Sequence, residues 1–555
     1  MKSKLIILTV LLTFSFINLK AATINVSSIA ALQSAINGSV QGDVINLADG
    51  HYTNNSIAIS KSGITVQATT SGGVYLDGTN SISISGSNNT FGGFQFVSGT
   101  ITGIVINVTG HLNTLTQLNF NGYSAQKYIR LIGQNNIVSY CNIQSKPVSA
   151  PAGDLIQVDA DASVIGNNTI RYCSFQHMPG AGGDNGNECI RIGESTMSTF
   201  VSRTVVEYCY FEDTGLGDSE AISVKSRENV LRYNTMNNNT EAMFCFRRGD
   251  NNVAYGNFFI NSGGLRAKEA NNIFCYNNYF EKSGATGSMN AVSYVYYTAN
   301  STYVLDNINF FHNTFVDCGD IDMGGTGATN GTWANNIFKK TGTIFSNANS
   351  GTTFKNNIYT GSLGITIPSG MTKIDPKLAL NSDGYYGLTA TSPAIGAATS
   401  AYPAMLNLPK IDTLLLDIKG LTRPASRLLK DLGCEQFNAM GTVTNRPLKL
   451  TDVGPSYIKG LTTVAEVTVN RFNLNLSPNP VKDELSIAYT LDYQSKISLD
   501  IFNLSGICVK TILANVHQPA GNYLHSVDVS RLNDGVYFVK MSSSEFSKTI
   551  KLIVK

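Results

Sequence analysis

The chain has 555 residues, 42% of them hydrophobic and 14% charged, enough to fill a sizeable core and too apolar for a disordered or fibrous protein. Its 40 Lys and Arg against 38 Asp and Glu leave a formal charge of +2, which excludes a global field drawing it to nucleic acid or to a membrane surface. Any anionic partner must therefore be held by a local cluster, and 51 Gly, 25 Tyr and 26 Phe beside a single Trp favour a turn-rich β protein.

Residues 1–22 join Lys2 and Lys4 to an apolar run from Leu5 to Leu19 and to the small residues Ala21 and Ala22. This reads as a secretory signal, which predicts an exported chain with no transmembrane segment once it is removed. A helix follows, with Leu32, Ala35 and Ile36 at helical spacing and Gly38 as its stop, and "DVINLADG" begins the first strand.

A recurring phrase then organises the chain: "SYCNI", "RYCSF", "EYCYF", "RYNTM", "AYGNFF", "CYNNYF", "FHNTF", "ANNIF", "KNNIY". Setting Tyr140, Tyr172, Tyr208, Tyr233, Tyr255, Tyr276, His312, Ala334 and Lys355 in one column gives spacings of 32, 36, 25, 22, 21, 36, 22 and 21. A base period near 21 or 22 with longer intervals predicts a solenoid with loops inserted on some turns. The unit is too short for helical repeats and rich in Val, Ile, Phe and Tyr, so the expected fold is all-β: a right-handed parallel β-helix over 23–437, three short strands per coil, capped by the helix. Asn pairs such as Asn277 and Asn278 suit tight corners, which need residues that tolerate positive φ, and stacked Asn can hydrogen-bond along the column. Of the nine cysteines, Cys141, Cys173 and Cys209 share one place in the phrase and are read as a stack of buried thiols. The absence of CxxC and HExxH makes zinc improbable.

Charge is concentrated in three strands. Aligning "NECIRIG", "SEAISVK" and "TEAMFCFRR" puts Glu188, Glu220 and Glu241 in one column, about 5 Å apart on successive coils. Stacked carboxylates repel unless a cation intervenes: Arg191, Lys225, Arg247 or a metal ion. Lys225 and Arg247 fall on adjacent coils and can flank one bound sugar, provided that the strand bends between Glu220 and Lys225, which have opposite parity. The Gly-rich insertion "HMPGAGGDNGNE" should line the binding face, and Asn185 with Asp218 and Glu220 makes an all-oxygen set that suits Ca²⁺. Arg227 and Arg232 are assigned to the surface.

The repeat fades after residue 360. Residues 374–437 are expected to fold back over the C-terminal coils, 438–470 to form a linker, and 471–555 to form a small β-sandwich.

Two resemblances add to this reading. "SPNPVKDEL", "IFNLSG" and "GVYFVK" resemble the C-terminal sorting domain of type IX secretion, which implies that type IX machinery is a partner and that the chain is secreted or placed on the cell surface. "NGNECIRIG", "DSEAISVKS" and "FRRGD", in that order on a β-helix, resemble polysaccharide lyase family 6, that of alginate lyases and chondroitinase B. The resemblance implies β-elimination on a uronate polymer with Lys225 as base and Arg247 as acid, and Ca²⁺ held by Asn185, Asp218 and Glu220. Asp218 stands where the family has Glu, and Arg248 where it often has His. Arg266 in "GGLR" corresponds to an Arg that grips a substrate carboxylate, which favours alginate over dermatan sulfate; Arg191 and Arg248 complete the substrate-binding set. A glycoside hydrolase would instead need two carboxylates across a cleft, and a glycan-binding adhesin would need no such amine and guanidinium.

Overall fold

The computed structural model describes residues 21–459 except 179, 181, 182, 185, 297–302, 325, 326, 348, 400, 401, 405, 410, 412, 413, 427 and 428, and residues 474–555 except 492–494, 504–506, 520 and 544–546. Most of the signal segment, residues 1–20, and Asn185 lie outside the described residues.

The chain divides into two units, Met1–Thr462 and Thr463–Lys555. The first is a parallel β-solenoid. Among the described residues, its strands form three sheets of 15, 14 and 12 strands, and each coil supplies them in turn. One coil runs through Val205–Glu207, Tyr210–Glu212 and Glu220–Val224, the next through Val230–Arg232, Thr235–Asn237 and Met243–Arg247. Every pairing between coils is parallel, as a chain that always winds the same way requires. Inward-facing aliphatic and aromatic residues fuse into one core from Leu32 to Met371, with Phe259, Phe280 and Phe315 stacked at ring separations of 4.8 and 4.5 Å.

The helix Ile29–Gly38 covers the first coil with buried Leu32 and Ile36, and the side chain of Ser28 accepts a hydrogen bond from the Ala31 amide at its N-terminus. At the corner between the first and second sheets, Tyr140, Tyr172, Tyr208, Tyr233, Gly256, Asn277, His312, Asn335 and Asn356 all have left-handed φ. Strand register makes these nine the true column, so the alignment read from the phrase slips by one residue at Tyr255, Tyr276, Ala334 and Lys355. The following residues point inward: Cys141, Cys173 and Cys209, then Asn234, Asn257, Asn278, Asn313, Asn336 and Asn357. The thiols are buried and free. The Asn side chains form a ladder in which each accepts the backbone amide of the coil before it, as Asn313 does from Asn278 at 2.9 Å.

Residues 374–437 fold back as expected. Leu378, Tyr385, Ala394, Ile418 and Leu432 cover Phe258, Tyr279, Val316 and Ile337 on the outer face of the second sheet. The expected linker differs from the structure over its first half. Asn445 donates to the Gly256 carbonyl, the Leu448 amide to Thr235, the Gly454 amide to the Tyr172 carbonyl and the Ser456 amide to Gln117. The segment is a strap running back along the solenoid; its weak pattern reflects backbone and side-chain hydrogen bonds to the coils rather than a sheet of its own. The second unit packs a three-stranded and a four-stranded antiparallel sheet around Leu485, Ile487, Leu499, Ile501, Val539 and Leu552, a β-sandwich.

Candidate active site

The charged residues converge on the outer face of the third sheet. In the strands Ile190–Ile192, Glu220–Val224, Met243–Arg247 and Leu265–Lys268, register pairs Arg191 with Ser223, Cys245 and Arg266 across successive coils. Ile222, Val224, Phe244, Phe246, Leu265 and Ala267 belong to the core, so the alternating Ser223, Lys225, Arg247, Arg266 and Lys268 face outward. Val224 pairs with Phe246, which sets Lys225 beside Arg247, and Arg247 pairs with Lys268.

The bend required between Glu220 and Lys225 is a β-bulge. Glu220 pairs with Met243 but Ile222 with Phe244, leaving Ala221 as an extra residue that brings Glu220 onto the Lys225 face. Register also corrects the expected carboxylate column, because Glu220 faces Met243, two residues beyond Glu241. Glu241 falls out of it and instead accepts hydrogen bonds from the Ser288 amide and hydroxyl.

Glu220 is the centre of the cluster. Its Oε2 accepts the Ser223 hydroxyl at 2.6 Å, and its Oε1 lies 3.3 Å from Arg247 and 4.0 Å from both Arg266 and Lys268. Burial pushes its pKa up, but the Ser223 hydrogen bond and the charges of Arg247, Lys268 and Lys225 outweigh burial and hold it below the usual range. Lys268 was missed in the sequence; its signal was the parity of "RAK", two residues after Arg266.

Lys225 meets a second carboxyl group on its other side, with Nζ 3.5 Å from Glu188 Oε1 and both side chains buried. Burial first, then the neighbouring Asp154, pushes Glu188 up to about 8. Burial pushes Asp154 up, but the neighbouring Glu188 carboxyl, Arg191 at 2.7 Å and Lys127 at 2.9 Å outweigh it and hold Asp154 below its ordinary value. Arg191 thus faces Asp154 and, at 3.1 Å, Glu194. Lys127 stands in no motif that sequence reasoning could have singled out, whereas Asp154 opens "DLIQV", a match to "ECIRI" and "EAISV" that the sequence reading passed over.

Asp218 is buried, and its two oxygens accept the backbone amides of Glu220 and Gly186, each at 2.9 Å. Burial, with the charges of Glu220 and Asp184, pushes it up to about 6. A buried carboxylate with amide donors and negative neighbours is suited to a hard cation, so the donor chemistry of Asp218 and Glu220 fits Ca²⁺.

Arg248 is turned elsewhere: at φ 63° it donates to Glu269 at 2.9 Å, and its guanidinium lies 4.7 Å from the Tyr303 ring centroid. Arg227 pairs with Asp250 at 2.8 Å. Arg232, expected on the surface, is buried, because its register partner Glu207 binds it at 2.6 Å and Tyr255 accepts a further bond. The glycines of "GGLR" are explained by coil spacing: a Cβ on Gly263 would lie 2.0 Å from the Ala242 carbonyl oxygen and one on Gly264 1.9 Å from that of Ala291.

Comparison with known proteins agrees with the solenoid fold. The solved PL6 family alginate lyase AlyGC superposes with a TM-score of 0.60 at 24% identity, over 69% of this chain and 59% of AlyGC, so the chain spans about three fifths of that protein's length. A mannuronic acid specific family 6 lyase from human gut microbiota gives 0.54 at 21% identity, over 64% of this chain and 91% of that one. The PL6 family polysaccharide lyase Pedsa3628 from Pseudopedobacter saltans gives 0.52 at 19%, over 78% and 99%. No curated protein matches the sequence. Residues 475–555 match the secretion system C-terminal sorting domain, which marks the chain for secretion, and no helix among the described residues is long and apolar enough to cross a membrane. The profile described as Chondroitinase B matches residues 26–362, more than half of the sequence and the whole of the charged face, so the chain belongs to the chondroitinase B family.

Proposed function

We propose that the protein is a polysaccharide lyase that cleaves alginate, a 4-linked uronate polymer, by β-elimination. The observation that supports this most is the placement of the Lys225 amine beside the Arg247 guanidinium on adjacent coils, over the buried, ionised Glu220. In this reading Lys225 accepts the C5 proton, the electrons of the C5–H bond form the C4–C5 double bond, and the C4–O4 bond breaks. Burial opposes the charge on Arg247, but Glu220 outweighs burial and raises its pKa, so Arg247 stays a cationic donor aimed at the departing O4. Arg266 and Lys268 flank the same point and neutralise the uronate carboxylate, with Arg191 one coil before Lys225. Ca²⁺ held by Asn185, Asp218 and Glu220 would supply further positive charge to that carboxylate as the C5 proton leaves.

The test is ultraviolet absorbance of the unsaturated product when the full chain is mixed with alginate or with dermatan sulfate, with calcium and with chelator. A rise with alginate that chelator removes is expected. The family description supports dermatan sulfate as a second substrate, and a rise with that polymer alone would select it. No rise with either polymer would overturn the lyase reading in favour of a glycan-binding solenoid.

A further inference from the structure

Two carboxyl groups behind Lys225 have no part in the proposed reaction. Asp154 and Glu188 occupy equivalent places on successive coils, each two residues before the paired Ile156 and Ile190. Both are buried, at 1% and 6% exposure, and the Leu155 amide donates to the Glu188 carbonyl at 2.9 Å, so the two side chains leave neighbouring strands at the usual spacing of about 5 Å. Two buried carboxylates side by side repel each other and offer acceptors only, so their proximity favours a state in which the pair shares one proton. The cations decide where it rests. Asp154 Oδ2 takes Arg191 at 2.7 Å and Lys127 at 2.9 Å, whereas Glu188 meets Lys225 at the longer distance of 3.5 Å. Asp218 adds a negative charge near Glu188, and Lys146, whose ammonium donates to the carbonyls of Gln126 and Gly153 and to Asn187, adds a positive one. The negative charge therefore belongs on Asp154 and the proton on Glu188.

We propose that Asp154 and Glu188 act as one proton-sharing pair that positions the Lys225 amine: Glu188 presents it with an uncharged oxygen, and Asp154 directs the negative charge to Arg191 and Lys127. Both are positioning residues, and the inference rests on Lys225 being the base. An ionised Glu188 at this distance would close a full ion pair with Lys225 and favour the ammonium form, which cannot accept the C5 proton. Sharing the proton with Asp154 keeps the geometry without the counter-charge. The raised pKa of Glu188 agrees with this arrangement.

Infrared difference spectroscopy tests the pair without turnover. Near neutral pH the full-length wild type should show a protonated-carboxyl stretch that Glu188→Gln removes. In kinetics on alginate, Glu188→Ala should lose about 10²-fold in kcat, the size expected of a misplaced reacting group, and Glu188→Gln, which keeps a neutral oxygen toward Lys225, should restore most of it. Asp154→Asn, leaving Glu188 ionised, should move the rising limb of the kcat profile up by about one to three pH units. A purely structural pair would lower melting temperatures and leave that limb in place. Absence of the protonated-carboxyl band overturns the proposal, as does Glu188→Gln being as impaired as Glu188→Ala. If Asp154→Asn does not fold, the two Glu188 variants carry the test. If the wild type cleaves no uronate polymer, the lyase reading fails separately and the infrared result still decides whether the pair shares a proton.

Discussion

Along the corner from Asn234 to Asn357 each coil repeats the residue of the coil before it, whereas on the third sheet, between Asp154 and Lys268, successive coils present unlike charges. Both columns use the same spacing between coils. At the corner each Asn closes its own circuit: Asn313 donates to the Cys275 carbonyl and accepts the Asn278 amide. The ladder is neutral, complete and turned inward. On the third sheet Glu220 gathers Arg247, Arg266 and Lys268, and Arg191, Arg247 and Arg266 each keep a buried Nε with no hydrogen-bond partner among the described residues. An unpaired buried donor costs about 1–3 kcal/mol. A column that satisfies itself belongs to the fold, and one that keeps unpaired donors and mixed charge agrees with the proposed binding of a polyanion.

That contrast can be broken at several points. Lys225→Ala should lower kcat on alginate by about 10³-fold while the variant still binds the polymer; a fully active variant would remove Lys225 from the chemistry. Calcium at about a hundredfold excess over its Kd should stabilise metal-free wild type by about 2.7 kcal/mol in a thermal melt, and leave Asp218→Asn unmoved. Equal shifts in both proteins would mean that the ion binds elsewhere. Asn313→Ala strands the Asn278 amide and the Cys275 carbonyl, so denaturant unfolding should show a loss of about 2 kcal/mol with kcat per folded molecule unchanged. A matching fall in kcat would show that the two columns are coupled. The smallest effect is a count: in a thiol-labelling assay the native protein should react at Cys508, the one exposed cysteine, and the eight buried thiols should react on unfolding.

The sequence carried the solenoid because a short repeat constrains every coil: the tyrosine phrase, the Asn pairs and the helix at 29–38 each follow from a local demand of the fold. It carried Lys225, Arg247, Arg266 and Glu220 because they sit in dense motifs. Asp154 went unread although "DLIQV" repeats the acid-x-Ile-x-aliphatic pattern of "ECIRI" and "EAISV"; that pattern is too short to stand out until strand pairing sets Ile156 against Ile190. Glu241 was misassigned because the strands pair one residue further on than the aligned motifs suggest, Ile222 with Phe244, and the bulge at Ala221 adds one more, so Glu220 faces Met243; strand pairing reveals this and motif spacing does not. Arg232 looked like a surface charge until register set it against Glu207. Asp218 and Glu220 are brought together, but Asn185, the third expected ligand, lies outside the described residues.

The strap bears on how the solenoid comes to be finished. Coils can stack in the order in which they are made, each closing short loops on its predecessor. Ser456 meets Gln117 across 339 residues, and Tyr457 reaches the Phe94 carbonyl across 363. Contacts so distant in sequence are the slowest to form. Assembly therefore ends on a latch rather than on a last coil, and a chain cut before Asn445 would keep every coil and lose the cross-tie that joins early coils to late ones. Such a truncation should unfold in segments where the intact solenoid unfolds as one body.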